Sequence, residues 1–297
     1  MALIQHNPST FDVLNWNFVS DKLSTIAIIF DFFYNTSISE SVSFNVFKSE
    51  IGTQFAEKVV FAKTLRKTFS KKYKHITPEE NIKINVDYYL RFENHILLFE
   101  YKDYTIPDRV KNGTYNDIEQ YFNYRFVKNE RGQEKGVLQL KKQIETLYTS
   151  TEQIENFDSL GIPKTRLFIY PIIIVNDDSF SVPGFENYLN SAFKSSISNN
   201  KYDFYIIQNL TVIEMDFLLE HSYLFQNGER TLHSLIHKHH LEISAREAIF
   251  NRFKNPRSHL AKFESFKHTT GPKLPKLDPT ETPIFKSIAD QLGFPKG

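Results

Sequence analysis

Alternation and periodicity divide the chain into strand-like and helix-like stretches before any chemistry is considered. Apolar runs at 13–19, 26–34 and 41–47 predict three strands near the start. Residues 52–69 then predict a helix that is apolar nearly all round, through Phe55, Val59, Val60, Phe61, Ala62, Leu65 and Phe69, which implies burial on more than one side. Residues 82–104 alternate as two strands about a turn at Glu93-Asn94. A polar loop is expected over 108–134, and a helix over 136–149 whose stripe is Val137, Leu140, Ile144, Leu147 and Tyr148.

The continuous apolar run RLFIYPIIIV at 166–175 predicts a buried strand, 183–195 a helix, and 202–215 one or two further strands. Helices are expected over 216–225 and 229–240, after which the chain turns basic. Residues 271–283 read as a Pro-rich linker and 284–294 as a short amphipathic end. The expected fold class is α/β, a central mixed β-sheet flanked by helices, with a helical C-terminal extension. Its expected organisation is a β-rich segment at 1–50, a core at 51–215, a helical, basic region at 216–270, and a linker with a terminal segment at 271–297.

The hairpin fixes its own register. A loop at Glu93-Asn94 places Leu90 opposite Leu97, Tyr88 opposite Phe99, Val86 opposite Tyr101, Asp87 opposite Glu100 and Asn85 opposite Lys102, so that one face is apolar and the other carries the charges. Directly opposed residues on one face sit about 4.5–5.5 Å apart at Cβ, and two like charges there are destabilising. A cation between Asp87 and Glu100 is therefore expected. Lys102 lies on the same face, but one ammonium cannot satisfy the lone pairs of two carboxylates. A hard divalent cation with oxygen ligands can, and Mg²⁺ (or Mn²⁺) suits a site completed by phosphate oxygens and water.

Composition narrows the classes. With 297 residues, 40% hydrophobic and 15% aromatic, the chain is long and apolar enough to bury a sizeable core. Thirty-six basic against 35 acidic residues leave a formal charge of +1, so any nucleic-acid surface must be local. The absence of cysteine excludes disulfides, thiolate zinc sites and cysteine nucleophiles, and suits a reducing compartment. The first residues carry no basic stretch followed by an apolar run, and the longest apolar runs are too short to span a bilayer. These features predict a cytoplasmic protein with no membrane partner.

The segment NVDYYLRFENHILLFEYKD resembles the core motif of the PD-(D/E)XK nuclease superfamily, the restriction-endonuclease-like fold. The matching residues are Asp87 and the triplet Glu100-Tyr101-Lys102, thirteen positions on, with Val86 replacing the proline that names the pattern. The resemblance spans roughly 51–175. It implies a preceding helix with a glutamate, matched by Glu57, and a following helix with a glutamine and an apolar residue, matched by Gln139-Leu140, with Gln143 one turn on. It implies a Mg²⁺-dependent nuclease acting on DNA rather than RNA, in a setting such as bacterial genome and antiviral defence. In that reading Asp87, Glu100 and the backbone carbonyl of Tyr101 hold the metal, with Glu57 as a weaker second ligand. Lys102 positions or deprotonates the attacking water and Gln139 orients substrate or lysine.

Two basic stretches are candidates for tracking a phosphate backbone: Lys63, Arg66, Lys67, Lys71, Lys72 and Lys74, with Lys58 before them, and a later one from Arg252 to Lys276 interleaved with Phe250, Phe253, Phe263 and Phe266. Solvated helix ends and core aromatics are the alternatives. His233 and His237 are one helical turn apart in LHSLIHKHHLE, with His239 and His240 following; ordinary exposed histidines near a helix end are the alternative to a metal site there. No phosphate-cradling glycine loop, nucleophile elbow or dinucleotide fingerprint is present. A non-catalytic binding subunit that keeps the nuclease fold is the competing reading, and a homo-oligomer or a partner protein is compatible with either.

Overall fold

The two longest apolar runs become the middle of a sheet. HILLFEYK forms a strand at His95–Lys102 and LFIYPIIIV one at Leu167–Val175, and they pair in parallel from His95↔Phe168 to Lys102↔Val175. Strands covered on both faces need no polar alternation, which is why these runs are continuous.

The computed structural model describes residues 3–7, 10–13, 33–50, 57, 60–69, 73–76, 86–149, 164–198, 202, 205–254 and 261–275. They divide into two units, Met1–Val59 and Val60–Gly297. In the first, β1 (Leu3–Asn7) and β2 (Thr10–Val13) form an antiparallel hairpin. A 3₁₀ turn at Ser37–Glu40 and a helix α1 (Phe44–Glu50) follow, where a strand over 41–47 was expected. Phe33 packs on Phe44 and Phe47 there, so the apolar spacing serves a helix face rather than a pleat. The expected strand at 13–19 and most of that at 26–34 lie outside the described residues.

In the second unit, α2 (Ala62–Thr68) lies within the helix expected over 52–69. β3 (Lys74–Ile76) pairs antiparallel with β4 (Tyr88–Phe92), and β4 with β5 (His95–Lys102). The β4–β5 register is Tyr88↔Phe99, Leu90↔Leu97 and Phe92↔His95, as the hairpin reading requires. Among the described residues six strands make one mixed sheet in the order β3-β4-β5-β6-β7, with β8 also on β6; here β6 is Leu167–Val175, β7 Tyr205–Ile207 and β8 Thr211–Glu214.

Pro171 in the middle of β6 needs an explanation, because proline cannot donate to a ladder. The Ile169 carbonyl accepts from the Gln208 N–H at 2.8 Å, so odd-numbered backbone groups of β6 face the β7/β8 side. β7 pairs with residues 167–169 and β8 with 172–175. The missing N–H of Pro171 falls in the gap between those two partners, where no ladder bond is lost.

The expected loop at 108–134 is instead mostly helical: α3 (Asp108–Lys111), α4 (Tyr115–Phe122) and a π-helical turn at Asn123–Val127. Its signal was a capping box, in which the Thr114 hydroxyl accepts from the Asp117 N–H and the Asp117 carboxylate accepts from the Thr114 N–H. Helix α5 (Gly136–Thr149) then crosses over to β6, and α6 (Phe185–Ile197) joins it. Val137, Leu140, Ile144 and Leu147 of α5 and Phe185, Leu189 and Phe193 of α6 form a core with Ile96, Leu98, Ile169 and Ile173 of the sheet.

Shorter helices α7 (Met215–Glu220) and α8 (Ser222–Gln226) precede α9 (Leu232–Phe253), which is longer than the expected 229–240, and α10 (Phe266–Thr270). No helix among the described residues is long and apolar enough to cross a membrane. The expected amphipathic end at 284–294 lies outside the described residues.

Candidate active site at the carboxyl end of the central strand

β5 presents alternate residues to opposite faces, so Glu100 and Lys102 share one face while Phe99 and Tyr101 take the other. The charged face is not solvated. β5 is buried from Ile96 onward on both sides, with Glu100 1% and Lys102 9% exposed. Helix α5 covers the Glu100 face; Phe61, at the start of α2, stacks on Tyr101 at 5.1 Å on the other.

Inside that cover the polar groups bond to one another. Lys102 Nζ donates to Glu100 Oε1 at 2.6 Å and to Gln139 Oε1 at 3.1 Å. Gln143 Nε2 donates to Glu100 Oε2 at 2.9 Å. Gln139 and Gln143 lie one turn apart on α5, so a single helical face reaches both members of the ion pair. Asp87 stands just before β4, and its Oδ2 accepts from the Tyr101 backbone N–H at 2.7 Å. The carboxylate thus extends the β4–β5 ladder by one rung beyond Tyr88↔Phe99.

Gly136 lies beside the lysine. A Cβ at that position would lie 3.3 Å from Ile173 Cδ1 and 3.4 Å from Lys102 Cε, so the first residue of α5 packs closely against the sheet beside the lysine stem. Burial alone would lower the Lys102 pKa, but the charges of Glu100 and Asp87 outweigh it and raise it above the usual lysine value. Lys102 therefore carries a positive charge at neutral pH in this geometry.

The structure brings together Asp87, Glu100, Tyr101, Lys102 and Gln139. It adds Gln143 as the second partner of Glu100, a role the helix spacing alone did not assign. Glu57, the weaker second ligand, belongs to the other unit, Met1–Val59, and is described there as a half-buried residue. Of the first basic stretch, Lys63, Arg66 and Lys67 are exposed on α2, which packs on the sheet face opposite to Glu100. Lys74 lies in β3, and Lys71 and Lys72 are outside the described residues.

The second basic stretch is only partly absorbed by internal pairs, and Arg252 and Lys254 are exposed at the end of α9. Lys267 bonds to Asp178 and Asp216, Lys273 to Glu242, and Phe266 is fully buried.

His237 is exposed as expected, but His233 and His239 differ from the expectation of exposed groups near a helix end, because α9 continues for several turns beyond them and its inner face is covered. His239 is 1% exposed. His233 stacks on His95 at 3.9 Å, next to Tyr170, whose hydroxyl is 3.0 Å from His95 Nδ1; burial lowers the pKa of His233 to about 4. Among the described residues, the three side chains gathered at metal-ligand distances are His239, His240 and Glu186, a residue of α6 far away in sequence. Another buried acid, Glu214 at the end of β8, bonds to the Ser181 hydroxyl, and burial pushes its pKa up to about 7.

Compared with protein-family models, curated proteins and solved structures, the chain matches none.

Proposed function

We propose that this chain is a Mg²⁺-dependent nuclease that hydrolyses phosphodiester bonds in DNA, built on a restriction-endonuclease-like core. One observation carries the reading: Asp87, Glu100 and Lys102 meet at one end of an antiparallel hairpin whose second strand runs through helix α5 into a parallel neighbour. Genome defence is the setting suggested by the resemblance of the motif, an argument from analogy.

The donor set suits the metal. Asp87, Glu100 and the Tyr101 carbonyl offer only hard oxygens, and a carboxylate oxygen that already accepts one hydrogen bond retains a second acceptor position. Mg²⁺ or Mn²⁺ held there supplies Lewis-acid polarisation of the scissile phosphate and a more acidic water. The protein's own groups do the rest. Lys102, kept protonated by its two acidic neighbours, stabilises negative charge building on the phosphorus. Gln139 accepts from the ammonium and Gln143 donates to the second Glu100 oxygen, so both members of the ion pair are held by α5.

Burial supports a second reading. Glu100 is 1% exposed and both its oxygens are already engaged, as expected of a non-catalytic binding subunit that keeps the charged pair as internal structure. Titrating Mg²⁺ into purified protein with plasmid and linear DNA, beside an Asp87→Ala control, separates the two. The nuclease reading expects metal-dependent cleavage lost in the variant. DNA binding without cleavage by either protein, across the whole metal range, favours the binding subunit.

A further inference from the structure

A second set of metal-ligating side chains gathers where α6, α9, α10 and β8 meet. Glu186 is the second residue of α6, and His239 and His240 lie in the first half of α9. One ligand atom from each lies within 4.8 Å of the other two. His239 Nε2 is 2.5 Å from Glu186 Oε1, and His240 Nε2 is 2.8 Å from Thr211 Oγ1 on β8.

Each of the three is also held from behind by a different group. His239 Nδ1 is 2.6 Å from Thr269 Oγ1 on α10. Glu186 Oε2 accepts from the Val212 N–H at 3.0 Å, and His240 has a backbone hydrogen bond with Asn209. Metal-binding imidazoles are oriented in this way, with one nitrogen on the metal and the other anchored to a protein group. Surface histidines are not.

We propose that Glu186, His239 and His240 bind one zinc ion, with the Thr211 hydroxyl beside the fourth position. Two imidazoles and a carboxylate are a zinc donor set, whereas Mg²⁺ disfavours imidazole. A chain without cysteine can build a zinc site only from such ligands. Zinc takes the place of the proton shared by His239 Nε2 and Glu186 Oε1, so binding releases that proton to solvent, and Thr211 exchanges its bond to His240 for one to water or the ion. With Glu186 8% and His239 1% exposed, the site is closed to substrates. Its role is to clamp α9 to α6 and β8.

The test uses the full chain, reconstituted with zinc, desalted and analysed for metal. About one zinc per chain is expected in the wild type, with at least tenfold less in Glu186→Gln and His240→Gln. A zinc-selective chelator added in the presence of Mg²⁺ is expected to lower the wild-type melting temperature and leave the variants unmoved. Should the variants not fold, cobalt loading of the wild type reads the same site through the visible absorption of four-coordinate Co²⁺. A zinc content below about a tenth per chain after reconstitution overturns the proposal. So does undiminished zinc in both folded variants, or a cobalt spectrum showing only six-coordinate ion.

Discussion

Lys102 Nζ lies 2.6 Å from Glu100 Oε1, two residues back on the same strand, and the pair sits in a polar pocket that helix α5 closes with Gln139 and Gln143. Breaking a buried ion pair by removing one partner leaves the other charge unpaired, which costs more than the pair contributes. The two glutamines therefore separate stability from chemistry, because each touches a different member of the pair.

Gln143→Ala removes the donor to Glu100 Oε2 in a position that is 2% exposed. An expected loss of about 1–3 kcal/mol follows from leaving a buried charged acceptor unsatisfied, measured by urea denaturation. Gln139 is less deeply buried and Lys102 keeps its bond to Glu100 without it. Gln139→Ala is expected to cost less than about 1 kcal/mol in the same assay while lowering DNA cleavage severalfold.

Leu140 is fully buried between α5 and the sheet. Leu140→Ala is expected to destabilise the protein by roughly 2–5 kcal/mol through lost transfer energy and the cavity left behind. Chemical denaturation checks it; a change below about 1 kcal/mol would mean that α5 does not pack on this face.

Glu214 sets a pH dependence of unusual sign. Its pKa rises from 4.5 to about 7 on folding, so the folded state holds a proton that the unfolded state releases between those values. Stability from this group is intact below pH 4.5 and falls as pH rises toward 7, by about 3 kcal/mol in all. Glu214→Gln keeps the shape without the charge. The variant is expected to match wild type near pH 4.5 and to exceed it increasingly up to about pH 7, with a constant margin above. Melting curves across that range are the measurement.

His221 and His233 act in the other direction. Burial first, then the charge of Lys267 for His221 and of His95 for His233, lowers each pKa from 6.5 to about 4. A depressed histidine pKa leaves stability complete above pH 6.5 and removes it as pH falls toward 4, when folding must bury a charge. Replacing His233 with Phe, which retains a ring on His95, is expected to flatten the acid side of the stability profile. An unchanged acid slope would contradict the burial of His233.

The hairpin was legible because two constraints coincide in a short stretch. A two-residue loop at Glu93-Asn94, with Glu93 in a left-handed conformation, sets the register, and the apolar pairs on one face confirm it. Helix α5 and strand β6 were legible for similar reasons, one from a single stripe and the other from a continuous run. What local pattern hides is cover. Nothing in the residues around Glu100 announces that α5 will close over them, so the burial of this ion pair is visible only in the fold.

The helices at 108–134 were read as a loop because polar residues dominate their exposed faces, although Thr114 and Asp117 carried the cap signal. Residues 41–47 show that alternation over a short window serves a helix as readily as a strand. Glu186 was out of reach altogether. It meets His239 only through the packing of α6 against α9, across 53 positions of sequence.

The most direct measurement compares single-turnover cleavage and equilibrium binding of the same DNA by wild type and Lys102→Ala in saturating Mg²⁺. The account predicts cleavage by the wild type, at least a hundredfold slower cleavage by the variant, and similar affinity for both. Equal cleavage rates, or wild-type binding with no cleavage at any Mg²⁺ or Mn²⁺ concentration, would contradict it.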